Sequence, residues 1–254
     1  TGDVFECFYT DTITSEELAV VGSTGVQGPG GHHIVAYYTD IIRPAEHHPC
    51  IDQEMVSWKQ ISGAANGEEV VGLPEGLAIR VPAGMQIVLQ AHYINTSGSP
   101  MMVEDSIDLE LGDKSQVQDY ANFFVTNDDT FSVNPMAAGE SVSTCTLEQD
   151  LNLVSLLGHM HEEGKRYKLE IIDETGATTE TLYDEPWEHE YSSHPPVVSW
   201  SYEEPRVLPK GTKLKQSCEW NNTTPDPLTF PREMCLAFMY YYPDAGELHC
   251  AMEK

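Results

Sequence analysis

Apolar and polar residues alternate along much of this chain, and a period of two is the signature of a half-buried strand. Met85, Ile87, Leu89, Ala91 and Tyr93 fall on one face of a predicted strand, with Gln86, Val88, Gln90 and His92 on the other. Tyr167, Leu169 and Ile171 alternate with Arg166, Lys168 and Glu170, and Leu214, Cys218 and Trp220 alternate with Lys213, Lys215 and Glu219. Pro-x-Gly turns at 74–76, 82–84 and 209–211, with Gly-rich breaks at 28–31 and 245–246, separate such runs. Many short strands divided by turn signals predict an all-β sandwich or barrel. Helical periodicity is scarce, and a single turn near 15–18 is the one predicted. There is no repeat of 20–50 residues and no low-complexity tract. The polar stretch 112–118 follows a strand-like run at 107–111 and precedes a second β-rich half. It is the predicted seam between two β domains, 1–113 and 114–254.

Charge narrows the function classes. The 254 residues carry 13 basic and 41 acidic side chains, a formal net charge of −28. Nucleic-acid binding depends on Lys and Arg neutralising phosphates, so this balance argues against it, and equally against an anionic membrane surface. A 40% hydrophobic content with 12 tyrosines and 4 tryptophans excludes a disordered acidic tail. No apolar run approaches the ~18 residues of a membrane span, and no signal peptide opens the chain. The chain starts at Thr1 rather than at methionine, which reads as a processed or truncated chain. Six cysteines, Cys7, Cys50, Cys145, Cys218, Cys235 and Cys250, are dispersed with no C-x-x-C pair. That spacing fits neither a zinc ribbon nor a thioredoxin-like motif. It fits disulfides in an extracytoplasmic compartment, periplasmic or secreted, though six cysteines allow 15 connectivities and spacing does not choose among them. Asn-x-Ser/Thr sequons stand at Asn95, Asn221 and Asn222.

The histidines carry the candidate chemistry. His159-Met160-His161 follows an apolar strand at 151–157, and period two puts both imidazoles on one face with Leu157, Ser155 and Leu153. Two imidazoles so placed can hold one metal ion, although a hydrogen-bonded pair at a strand end has the same spacing. His32 and His33 follow Gly28-Pro-Gly-Gly31 and open a strand at 34–38. Neighbours on a regular strand point to opposite faces, so both reach one ion only if the backbone is irregular there, which the glycines permit. His92 shares its face with Gln90, where a lone histidine is ordinarily a satisfied polar group. His47-His48 sits in a Pro-rich loop and reads as exposed; His189, His194 and His249 have no partner signature. Met234 opens the run 236–242 and shares a face with Leu236, Phe238 and Tyr240. Core packing is the ordinary role of such a methionine. With His159 and His161 it would form a soft N₂S set, which selects Cu(I) over zinc, magnesium or calcium.

Four segments together, Gly-His32-His33-Ile, Leu-Gln-Ala-His92-Tyr, His159-Met-His161 and Glu-Met234-Cys235, stand in the order and context of one family. In them the chain resembles the copper type II, ascorbate-dependent monooxygenases, which include peptidylglycine α-hydroxylating monooxygenase and dopamine β-monooxygenase. The resemblance runs from Phe5-Glu-Cys7 to Cys250, and His159-Met-His161-x-x-Gly164-Lys165 and Leu208-Pro-Lys-Gly211-Thr look like bacterial members. It implies two packed antiparallel jelly-roll β-sandwich domains, each with one copper ion. His32, His33 and His92 would form the electron-transfer site of the first. His159, His161 and Met234 would form the oxygen-binding, catalytic site of the second. Implied disulfides are Cys7–Cys50, Cys145–Cys250 and Cys218–Cys235. O₂ and an ascorbate-type reductant would be co-substrates, with an alcohol and water as products from a small-molecule substrate.

Three departures bear on that substrate. The peptidylglycine branch has an arginine two residues before its H-x-H, and an asparagine and a tyrosine after its Met-Cys pair. Here those positions are Leu157, Leu236 and Phe238. Three polar substrate contacts have become apolar, so the expectation is an apolar or weakly polar C–H substrate rather than a C-terminal glycine peptide. The acidic surface could also steer a cationic amine. The same departures fit a second class, a non-catalytic extracytoplasmic copper-binding or electron-transfer protein that kept its ligands. A double sandwich with incidental histidines is a third, and a zinc hydrolase is disfavoured because Glu162-Glu163 does not continue a hydrolase metal motif and Met234 is a poor zinc ligand.

Overall fold

The alternating pattern becomes an almost entirely β architecture. A computed structural model describes residues 2–65, 67–95 and 99–253, the side chains of Asp3, Asp52 and Ala251 apart. Thr1 and the Thr96-Ser97 part of the first sequon lie outside these. The chain divides into two compact units, Thr1–Ala121 and Asn122–Lys254. The polar stretch at 112–118 holds a 3₁₀ turn, Lys114–Gln116, and the division falls a few residues after it.

The first unit runs β1 (Gly2–Ile13), β2 (Leu18–Gln27), β3 (Gly31–Thr39), β4 (Glu46–Pro49), β5 (Lys59–Ala65), β6 (Gly67–Gly72), β7 (Leu77–Val81), β8 (Gln86–Asn95) and β9 (Ser106–Leu111). One sheet has the order β4-β1-β8-β3-β5, with antiparallel neighbours. In the other, β2 pairs antiparallel with β6, β7 and β9. Its helix is the short Asp52–Met55, not the turn expected at 15–18, where the chain only bends before β2. Of the two β8 faces, the one carrying Gln86, Val88, Gln90 and His92 is the more buried, all four being under 9% exposed. The amides make this possible. Gln86 donates Nε2–H to the Thr10 and Arg43 carbonyls and accepts from the Arg43 N–H, so its burial leaves those groups paired. Val88 packs with Cys7, Tyr9 and Trp58, and Ala91 on the opposite face packs with Ile34 and Ala64.

β10 (Asp119–Asn127) crosses the division, and in the second unit follow β11 (Ala138–Thr146), β12 (Leu151–His159), β13 (Gly164–Ile172), β14 (Thr178–Pro186), β15 (Val198–Ser199), β16 (Arg206–Leu208), β17 (Lys213–Asn221), β18 (Leu236–Tyr242) and β19 (Leu248–Ala251). β18 lies antiparallel between β10 and β12, and a separate sheet has the order β11-β17-β13-β14. Leu153, Leu156, Tyr167, Leu169, Leu214, Trp220 and Tyr241, each almost fully buried, belong to the core of this unit.

Cys7–Cys50, Cys145–Cys250 and Cys218–Cys235 are bonded, the pairing that the resemblance implies. Of the three sequons, Asn222 is closed to modification. It is 1% exposed, its Nδ2 donates to the carbonyls of Val133, Asn134 and Asp226, and its Oδ1 accepts from Thr224.

Glu170 breaks the alternation of β13, being 3% exposed although the pattern places it outward. Register shifts between Leu169 and Glu170 in the pairing with β14. Lys168 and Lys215 place ammonium groups 2.6 and 2.7 Å from its carboxylate, and Thr178 donates at 2.9 Å. Burial alone would raise its pKa; the two lysines and the threonine outweigh burial and bring it down to about 2. A depressed carboxyl pKa contributes stability above the unfolded value of about 4.5, and that contribution is lost as pH falls towards 2. Glu170→Gln is therefore expected to destabilise the second unit by about 3 kcal/mol at pH 7. The difference from wild type, read by denaturant unfolding, shrinks steadily between pH 4.5 and pH 2.

Candidate metal centres

His33 and His92 face each other directly in the β3–β8 pair, and the register slips between Gly31 and His33. His32 is the extra residue of that β-bulge, so consecutive histidines meet one cross-strand partner. Gly30 supplies the entry: its φ of +87° is a conformation that L side chains rarely adopt, and its carbonyl accepts from Ile94. Here is the irregularity that two adjacent histidines need to reach one ion. One ring nitrogen from each of His32, His33 and His92 lies within 4.8 Å of the others. The Nδ1 atoms of His32 and His33 are 3.1 Å apart. Phe5, opposite His92 in the β1–β8 register, lies flat on its imidazole with ring centroids 3.9 Å apart. His92 is buried, while His32 and His33 are half-buried.

The second group stands where β12 ends. Pairing with β18 sets Leu157 opposite Phe238 and His159 opposite Leu236. His161 lies two residues beyond the end of β12 and Met234 two residues before the start of β18. Between the two imidazoles Met160 is fully buried in the core, which turns His159 and His161 to the other face. Gly158 fixes the approach, since a Cβ there would stand 2.3 Å from the Tyr167 ring. The His159 and His161 ring centroids are 5.1 Å apart, and His159 and Phe238 are 6.1 Å apart. Leu157, His159, His161, Met234 and Phe238 are half-buried, and Leu236 is buried. Leu153, expected on the same face, is in the core instead, because the register shifts between Leu153 and Ser155 and interrupts the alternation.

Hydrogen bonds orient His161. Its Nδ1 lies 3.0 Å from the Arg232 carbonyl, which can only accept, so the proton sits on Nδ1 and the ring lone pair on Nε2. Its backbone N–H donates to Glu233 at 3.0 Å, and its carbonyl accepts from the Trp187 indole at 3.1 Å. Glu233, 1% exposed, also accepts from the Glu163 N–H at 2.8 Å and the Trp220 indole at 3.0 Å. Burial pushes its pKa upward, opposed by those N–H donors and by His161. Cys235 ties the segment that bears Met234 to Cys218 of β17.

The remaining histidines stay outside both groups. His47 and His48 lie on β4 rather than in a loop; His47 is exposed against Phe8, and His48 is half-buried, 3.5 Å from Glu54. His249 pairs with Glu247 at 2.8 Å. Phe5 and Glu233 carry no ligand signature of their own, yet they touch the candidate ligands His92 and His161. Both lie inside the motifs Phe5-Glu-Cys7 and Glu233-Met-Cys235, where adjacency to a candidate ligand or its cross-strand partner is the signal.

Solved structures similar over 96% of this chain include the infectious bursal disease virus VP2 subviral particle, at 11% identity over 68% of that chain with a TM-score of 0.26. The major capsid protein P2 of bacteriophage PM2 aligns at 7% identity over 99% of its chain, with a TM-score of 0.28. Similarity at this level carries no argument about function. No curated protein matches the chain. The family described as copper type II ascorbate-dependent monooxygenase, C-terminal domain, matches residues 122–254, more than half of the sequence. On that match, the chain belongs to the copper type II ascorbate-dependent monooxygenases.

Proposed function

We propose that this protein hydroxylates a C–H bond of a small organic substrate, using O₂ and an ascorbate-type reductant, with one copper ion held by each of two donor sets. The observation that carries this reading is the convergence of three imidazoles in the first unit, alongside an H-x-H clamped to the segment bearing a thioether in the second. Both donor sets suit copper. Three imidazoles hold it in either redox state, and two imidazoles with a thioether favour the reduced ion over zinc or calcium. Bound copper supplies the one-electron chemistry and O₂ activation that turn a C–H bond into an alcohol.

The chain's own contribution is placement. His32, His33 and His92 would be the electron-transfer ligands, with Phe5 shielding one face of the His92 ring. His159, His161 and Met234 would be the ligands at the reacting centre, where the Arg232 carbonyl fixes the His161 tautomer. Leu157, Leu236 and Phe238 share the sheet face of His159 and bring no charge or hydrogen-bond donor to it. They would bind the substrate by apolar contact and exclude water. The three disulfides support an extracytoplasmic setting, periplasmic or secreted. Among the described residues no helix is long and apolar enough to cross a membrane.

The test is O₂ consumption coupled to product in copper-loaded protein with ascorbate, comparing ethylbenzene, phenethylamine and a glycine-extended peptide. The expected result is an alcohol from the neutral alkylarene and none from the peptide. Peptide hydroxylation at an ordinary enzymatic rate, ~1–10³ s⁻¹, would overturn the assignment of the three apolar positions. Redox cycling of both coppers with no product from any C–H substrate would instead favour a copper-binding or electron-transfer protein.

A further inference from the structure

We propose that Glu233 is the positioning residue of the second donor set, locking the turn after His159-Met160-His161 against the segment that carries Met234. The inference rests on the reading of His159, His161 and Met234 as copper ligands, and it adds a residue that the reading does not require.

Burying a carboxylate is costly unless hydrogen bonds compensate, so a carboxylate 1% exposed needs a reason. Its partners supply one. Oε2 accepts from the His161 backbone N–H and the Trp220 indole, both at 3.0 Å, and Oε1 accepts from the Glu163 N–H at 2.8 Å. Three donors come from two distant stretches of chain, and the acceptor is the residue next to Met234. Arg232, on its other side, takes the His161 ring through its carbonyl. Residues 232 and 233 thus hold both the backbone and the imidazole of His161. On the far side, the Cys218–Cys235 disulfide ties the same segment to β17, whose Trp220 is itself a Glu233 donor. The result is a closed frame in which His161 and Met234 cannot shift independently.

Three N–H groups spread over two oxygens require an acceptor at both ends, and a glutamine would turn its own NH₂ towards at least one of them. An aspartate keeps both acceptor oxygens but is one methylene short of reaching all three donors.

The experiment uses the full chain, loaded with copper and reduced with ascorbate. X-ray absorption reads the sulfur scatterer, and competition with a Cu(I) chelator reads affinity at each site. Glu233→Gln is expected to lower second-site copper affinity by about 10–100-fold and to weaken the copper–sulfur signal. The electron paramagnetic resonance signal of the oxidised His32/His33/His92 copper should not change, and Glu233→Asp should not restore the sulfur signal. A merely structural role would lower thermal stability and leave the ratio of the two affinities as it was. Full sulfur signal and unchanged second-site affinity in Glu233→Gln would overturn the proposal. If Glu233→Gln does not fold, Trp220→Phe removes one donor to the same carboxylate and should weaken the second site alone; no effect there would be equally contradictory. Absence of any sulfur scatterer in the wild-type protein would overturn the ligand reading itself, and this inference with it.

Discussion

Replacing Met234 by isoleucine is expected to abolish copper- and ascorbate-dependent oxidation while the first copper stays bound. Isoleucine is similar in size and apolar, so the half-buried position loses its donor more than its packing. Its neighbour Cys235 remains tied to Cys218, and Glu233 remains bonded to His161, so the backbone is held on both sides. What disappears is the thioether, the soft donor that separates this set from an ordinary pair of histidines. Loss of an outer partner of a metal ligand costs 10–100-fold, and loss of a ligand should exceed the upper end, giving a fall in turnover of at least ~100-fold. Product formation and O₂ uptake with ethylbenzene check this. Turnover near the wild-type rate would mean that the reacting centre lies elsewhere.

His92→Ala is expected to act at the other site with comparable severity. His92 is buried between Phe5, stacked on its ring, and the two histidines of the bulge. Alanine leaves two half-buried imidazoles to hold the ion without their third partner. Metal analysis should show one copper per chain fewer than in wild type, with the sulfur scatterer of the second site intact. Coupled turnover should drop by at least ~100-fold, on the same argument. Retention of both coppers and full turnover would remove His92 from the ligand set.

Much of this arrangement was legible in the chain. Alternation marks the strands because a sheet with a buried side must repeat every two residues, and His159 and His161 share a face for that reason. The condition for His32 and His33, an irregular strand after a glycine run, is met by the bulge at β3. What escaped was set by tertiary contacts. Alternation alone does not say which face of β8 is the more buried; it is that of Gln86 and Gln90, with the Gln86 amide closing hydrogen bonds to Thr10 and Arg43. Leu153 left its expected face because a register shift has no local marker. Glu170 went inward because lysines on two strands follow it there, one of them 45 residues away in sequence. Cysteine spacing alone did not give the disulfide pairing; that came only with the family resemblance.

The central claim, two separate donor sets of different softness, meets its most direct test in the wild-type protein loaded with copper. Metal analysis joined to X-ray absorption of the reduced form should find two coppers per chain and a sulfur scatterer on one of them alone. A single copper, or two bound only by nitrogen and oxygen, would contradict it.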